Sequence, residues 1–261
     1  MSDATNSESA GRWIPLESNP EVFNLWAKKA GLVISQAHFE DIYGLDDDML
    51  AIVPRPVKAV VLLFPIDPEG EARREEEDAK IAREGQPKID NTIFWVKQTI
   101  SNACGTIGLI HALANSEVTF TPMSPLQKFI IQCENKTPLE RAELLATTPL
   151  FADIHAESAD SGQSAQTIDT DLHFTCFVEA PDADIRDAAQ GAEISESAKS
   201  DTKTSGMRLI ELDGRRAGPV DHGECKDLLK DVANLVKARY MSASTSVYFN
   251  LMALSTAPQQ N

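Results

Sequence analysis

Residues 59–66 read AVVLLFPI, a run with no charged position. A strand that alternates apolar and polar can leave one face in water. This one has no polar face, so as a strand it must be covered on both sides. Residues 171–178 (DLHFTCFV), 207–213 (MRLIELD) and 246–255 (SVYFNLMALS) read as half-buried or central strands, and RWIPLE at 12–17 is expected to add one more.

Helices carry their own punctuation. Ser18 or Asn19 caps a segment with Pro20 at its first position, Val22, Phe23, Leu25 and Trp26 as apolar positions, and Gly31 as the stop. Ser124-Pro125 opens a second, and Thr137 to Glu140 is a capping box that opens a third. Between 226 and 240, Leu228, Leu229, Val232, Leu235 and Val236 share one face. Residues 71–84 are too charged to be buried and read as a solvated helix or loop. Strands separated by helices without a regular βαβ repeat predict an α+β fold, and no internal repeat is found.

The 261 residues are enough to bury a full core, and 12–256 is expected to form one domain between short tails at 1–11 and 257–261. Two segments read as unpacked. Residues 148–170 are small and polar, a long loop, with His155 in it and solvated. Residues 179–206 are rich in Ala, Asp, Glu and Ser, and read as a disordered insertion.

A formal charge of −16 argues against a nucleic-acid partner. No apolar stretch is long enough to span a bilayer, and the first twelve residues lack the pattern of a signal peptide. We expect a monomer in a cytoplasmic setting, or a nuclear one. Cys104, Cys133, Cys176 and Cys225 form no CxxC pair, so free thiols are expected, with no metal site and no cofactor.

Cys104 stands where an amphipathic helix begins, and a helix dipole there favours the thiolate. An isolated cysteine is more often a buried structural residue, so its partners decide. Of five histidines, His111 is seven residues along the same helix, about 10 Å of rise, too far for direct contact, and reads as a packed or surface residue. His38 lacks rigid support. His222, flanking a turn, is the runner-up. His173 is on a strand, which holds a catalytic group better than a loop does. If its strand pairs antiparallel with the next in an odd-to-odd register, Asp213 projects from the same face. The alternative is a half-buried histidine and a turn aspartate before Gly214. Gln98, six residues before Cys104, offers a side-chain donor for an oxyanion.

These residues lie in motifs that resemble a known family. QTISNACGTIGLIHA around Cys104, DLHF around His173 and ELDGRRAGPVDHGE around Asp213 are similar to the ubiquitin carboxyl-terminal hydrolases, as are RWIPLESNPEVFN, VPRPVKAVVLLFPI and FNLMALS. The resemblance implies Cys104 as nucleophile, His173 as general base and then acid, Asp213 as the orienting carboxylate and Gln98 as oxyanion donor. It also implies a papain-like central antiparallel sheet between helices, a knotted backbone, and a crossover loop at 148–170. Ubiquitin is the implied partner, cleaved after its terminal glycine to release small or flexible adducts and to process precursors. A hydrolase for another ubiquitin-like modifier and a non-catalytic ubiquitin-binding protein remain as alternatives.

Overall fold

The computed structural model describes residues 13–163, 170–191, 205–242 and 248–257. The tail expected at 1–11 therefore lies outside the described residues, as do 258–261 of the other expected tail, 164–169 of the expected loop and 192–204 of the expected insertion. Six strands form one sheet: β1 (Ala37–Asp41), β2 (Val57–Pro65), β3 (Leu172–Pro181), β4 (Met207–Leu212), β5 (Val220–Glu224) and β6 (Asn250–Thr256). Their order is β1-β6-β2-β3-β4-β5, with every neighbouring pair antiparallel. The apolar run thus occupies an interior position, between β6 and β3.

The helices are α1 (Pro20–Ala30), α2 (Asp47–Ala51), α3 (Pro68–Glu84), α4 (Cys104–Ala114), α5 (Pro125–Gln132), α6 (Pro138–Ala146), α7 (Pro149–Asp160), α8 (Ala183–Gly191) and α9 (Leu228–Val236), the last continued by a π-helical turn, Lys237–Met241. Alternation along the strands builds a core on each face of the sheet. Ala59, Val61, Phe174, Cys176 and Leu212 pack with Phe23 and Trp26 of α1 and Ile107 and Ile110 of α4. Val60, Leu62, Phe177 and Leu209 pack on the other face with Leu228, Leu229 and Val232 of α9. The α+β class and the layered sheet are as the sequence implies.

Several expectations need correction. Most of 148–170 is not a loop: 149–160 form α7, with Pro149 at its first turn and Phe151, Ile154, His155, Ser158 and Ala159 buried. Phe151 stacks on Trp26 and meets Phe129 edge-on. Within 179–206, residues up to Pro181 continue β3 and 183–191 form α8, whose start is held by Asp182 Oδ1 accepting from the Asp184 and Ile185 amides at 3.1 Å. Residues 13–17 add no strand. The Trp13 amide bonds Ser101 O, its carbonyl accepts from Asn102, and Leu16 is buried, while Pro15 offers no donor for a ladder.

Both outer strands receive a side-chain amide on their open side. Asn24 of α1 accepts from the Phe39 amide of β1 and donates to its carbonyl, both at 2.8 Å. Beyond α3, Gln86 donates to Pro219 O at 2.9 Å and accepts from the Asp221 amide of β5 at 3.0 Å.

Candidate active site

Cys104 is the first residue of α4, and the backbone before it sets that position. Asn102 has φ 63°, a left-handed conformation that asparagine tolerates better than most residues. Its side chain donates to Trp13 O at 2.9 Å. Ala103 occupies the cap position and supplies no side-chain bond. The positive end of the helix is left to act on the thiol.

The β3–β4 ladder pairs Phe177 with Glu211 and Cys176 with Leu212, the odd-to-odd register expected from the sequence. One more step puts Asp213 across from Thr175 and diagonal to His173. His173 Nε2 lies 2.8 Å from Asp213 Oδ1. With Nε2 engaged, the other ring nitrogen is the one available to the Cys104 thiol, which lies close enough for the two groups to shift each other's titration. All three groups are buried, Asp213 fully and Cys104 with 8% exposed.

Burial alone would push the thiol pKa up. The bond and charge of His173, with the Phe174 amide, outweigh it and leave the thiol below a free cysteine's value. Burial also opposes charge on His173, yet the charge and hydrogen bond of Asp213 carry its pKa up to about 9. Asp213 is opposed by burial too, but His173, Arg74 and the Arg215 amide hold it well below the usual carboxylate range. These shifts together favour a thiolate beside an imidazolium, backed by an ionised carboxylate.

A second segment runs beside the Asp213 turn. Trp95 Nε1 donates to Asp213 O at 3.2 Å, Lys97 Nζ donates to Arg215 O and Arg216 O, and the Gln98 amide donates to Gly214 O at 2.8 Å. A Cβ on Gly214 would stand 3.0 Å from Gln98 Cβ and 3.1 Å from Ile107 Cγ2, so a side chain there would push Gln98 away. Gln98 Nε2 donates to Ile100 O at 3.2 Å, and its Oε1 is buried without a partner. The backbone of Gln98 is thus fixed beside the dyad, while its carboxamide bonds its own segment rather than Cys104.

His111 braces this arrangement. Its Nε2 accepts from the Val96 amide at 2.9 Å, which leaves Nδ1–H to donate to Leu212 O at 3.2 Å. Burial lowers its pKa to about 4, against the pull of its backbone partners. One neutral ring therefore ties α4 to the two segments that carry Gln98 and Asp213.

A family model described as ubiquitin carboxyl-terminal hydrolase, family 1, matches residues 13–242. The chain belongs to this family. It is 37% identical to ubiquitin carboxyl-terminal hydrolase 3 of Arabidopsis thaliana, over 98% of this chain and 99% of the relative. It is 32% identical to the human ubiquitin carboxyl-terminal hydrolase isozyme L1, over 93% and 98%. Among solved structures, the UCH37 catalytic domain of Trichinella spiralis bound to ubiquitin vinyl methyl ester shares the fold with a TM-score of 0.65 at 20% identity, covering 95% of this chain and 99% of that one.

In this ubiquitin carboxyl-terminal hydrolase family member the other histidines stand apart from the thiol. His222 lies on β5, after the turn that follows β4, where its Nε2 lies 2.7 Å from Glu211 Oε2. His38 is supported after all, on β1. His155 is buried rather than solvated: its ring lies 2.9 Å from Thr106 Oγ1 and bonds Ile14 O, and burial lowers its pKa to about 4. The sequence reading missed Arg74, whose guanidinium reaches Asp213 Oδ2 from α3. Its only signal was opposite charge, an arginine in an acidic run and an aspartate in a basic one.

Proposed function

We propose that this chain is a cysteine-type hydrolase that cleaves ester, thioester or amide bonds after the terminal glycine of ubiquitin. Family membership over residues 13–242 supports the substrate. The observation that carries the chemistry is the buried His173–Asp213 pair, closed at 2.8 Å, beside the Cys104 thiol whose pKa the histidine lowers.

Cys104 attacks the glycine carbonyl as a thiolate, and the carbonyl oxygen becomes an oxyanion. The Cys104 amide and Gln98 Nε2 are the donors assigned to that oxygen, the second after its bond to Ile100 O is released. The intermediate collapses, the carbon–leaving group bond breaks, and the imidazolium of His173 protonates the departing amine or alcohol. Water then adds to the thioester with His173 as base, releasing ubiquitin's carboxylate and restoring the thiol. Asp213 holds the ring and stabilises its charged form throughout. No step calls for a metal or organic cofactor.

An electrophile built on ubiquitin's carboxyl terminus tests this. Labelling should occur at Cys104 and disappear in Cys104→Ser, which should still bind ubiquitin. Binding without labelling would mean an adaptor, and faster labelling by a related modifier's probe would change the substrate. Gln98→Ala should lower kcat roughly 10²- to 10³-fold. A change confined to KM would make Gln98 a substrate-binding residue.

A further inference from the structure

α3 has no buried residue, and beneath it lies a cavity of about 330 Å³ lined in part by Phe64, Tyr240, Phe249 and Glu211. Apolar packing does not hold this helix in place. Charges do. Arg216 reaches Glu77 Oε2 at 2.8 Å and Asp78 Oδ1 at 2.5 Å, and Arg239 also pairs with Glu77.

One contact goes further in. Arg74 Nη2 bonds Asp213 Oδ2, the oxygen that His173 does not use. Arg74 Nη1 donates to Glu71 Oε1 at 2.8 Å, and Glu71 Oε2 accepts from Arg215 Nη2 at 2.7 Å. The ring then closes, because the Arg215 amide donates to Asp213 Oδ1 at 2.8 Å. Each carboxylate oxygen has its own partner, so the carboxylate cannot rotate away from His173 without breaking a charge-assisted bond.

We propose that Arg74 is a positioning residue for the hydrolase, and that α3 is an ion-pair-mounted brace whose task is to hold Asp213 aimed at His173. Arg74 has no contact with the thiol; it acts through Asp213. The proposal rests on the thiol-hydrolase reading above. Without Arg74, Oδ2 is a buried carboxylate oxygen with no donor, and the carboxylate turns toward what donors remain. A misplacement on the order of 1 Å in such a unit can cost about 10²-fold in rate.

The charged and titratable groups around the dyad include Cys104 and His111 from α4, Arg74 and Glu71 from α3, Glu211 from β4, Arg215 after it, and Tyr240 from the π-helical turn. Simple loss of the Arg74 cation would make the imidazolium easier to keep and move the alkaline limb of activity upward. Loss of Asp213's aim moves it downward. The two effects have opposite signs.

The experiment measures kcat, KM and the pH profile of kcat/KM on a ubiquitin amide of a fluorescent amine, for wild type, Arg74→Gln and Arg74→Lys, with thermal melting alongside. Expected are a roughly 10- to 100-fold fall in kcat for Arg74→Gln with KM within about twofold, and an alkaline limb shifted to lower pH. Arg74→Lys should recover part of the rate, since an ammonium can serve Oδ2 but cannot hold Glu71 in the same fork. Unchanged kcat in folded Arg74→Gln overturns the proposal. So does a fall in kcat with an unmoved or rising alkaline limb. If Arg74→Gln does not fold, Arg74→Lys decides by the same two readouts. A wild-type enzyme that turns over no ubiquitin amide and is not labelled by the electrophile would instead sink the parent reading.

Discussion

Two carboxylate–imidazole pairs lie close together in the sheet, one built on Asp213 and His173, the other on Glu211 and His222. Both carboxylates are buried, and both pairs are closed to within 2.8 Å. They differ in what surrounds them. Glu211 takes donors from His222 and from Tyr240 Oη at 2.8 Å, with Thr175 Oγ1 at 3.3 Å and Arg216 at 3.6 Å. Nothing nucleophilic touches His222 among these contacts. Asp213 spends one oxygen on His173, whose other nitrogen meets a thiol. A paired histidine is therefore not a site by itself. It becomes one when its free nitrogen faces a group that needs its proton moved.

The comparison breaks most directly by deleting each ring. His173→Ala should lower kcat about as far as losing the nucleophile does, since members of a catalytic unit are strongly non-additive, while His222→Ala should stay within a few-fold. Reversed effects in a steady-state assay would exchange the roles of the pairs. Stability should rank the other way. His222→Ala removes a partner from Glu211 and should cost about 1 to 3 kcal/mol in urea unfolding.

Both pairs should weaken in acid, and the Asp213–His173 pair should weaken in alkali as well. Burial raises the pKa of Glu211, but His222 and Arg216 more than offset it and hold the group at about 2. A folded-state pKa below the unfolded one gives stability that is present above about pH 4.3 and lost as pH falls toward about 2. His173 is raised to about 9, so its contribution is full below about pH 6.5 and lost as pH rises through about 9. Glu211→Gln should flatten the acid decline of the unfolding free energy, whereas His173→Ala should flatten the alkaline decline and, because the imidazolium helps hold Asp213 low, part of the acid decline as well. An alkaline decline left unchanged by His173→Ala would overturn this assignment. The smallest effect should come from Tyr240→Phe, which removes one donor of Glu211 and should cost about 1 kcal/mol with kcat unchanged.

How much of this was readable in advance depended on what fills each position. The interior strands announce themselves because both faces are apolar. β1 (AHFED) and β5 (VDHGE) do not, since short charged sequences at the sides of a sheet look like loops. In α7 the buried positions 151, 154, 155, 158 and 159 have helical spacing, but His155, Ser158 and Ala159 occupy three of them, and a hydrophobicity reading passes over such a stripe. Cys104, His173 and Asp213 were reachable from sequence because one helix start and one strand register place them. Arg74 was not: α3 reads as solvated, and it is solvated over most of its surface. Which of its charges points inward is set by the turn after β4, distant in sequence.

The amides of Asn24 and Gln86 bear on how this chain behaves in a crowd. An unpaired outer strand is a template on which a second molecule can add its own strand, the first step toward insoluble assemblies. Here a carboxamide stands in for that missing neighbour at Phe39 on one flank and at Pro219 and Asp221 on the other. Both come from α1 or from the residues just after α3, so the safeguard is in place only once those helices have docked. A molecule in which either segment lifts away leaves that flank open to a second chain.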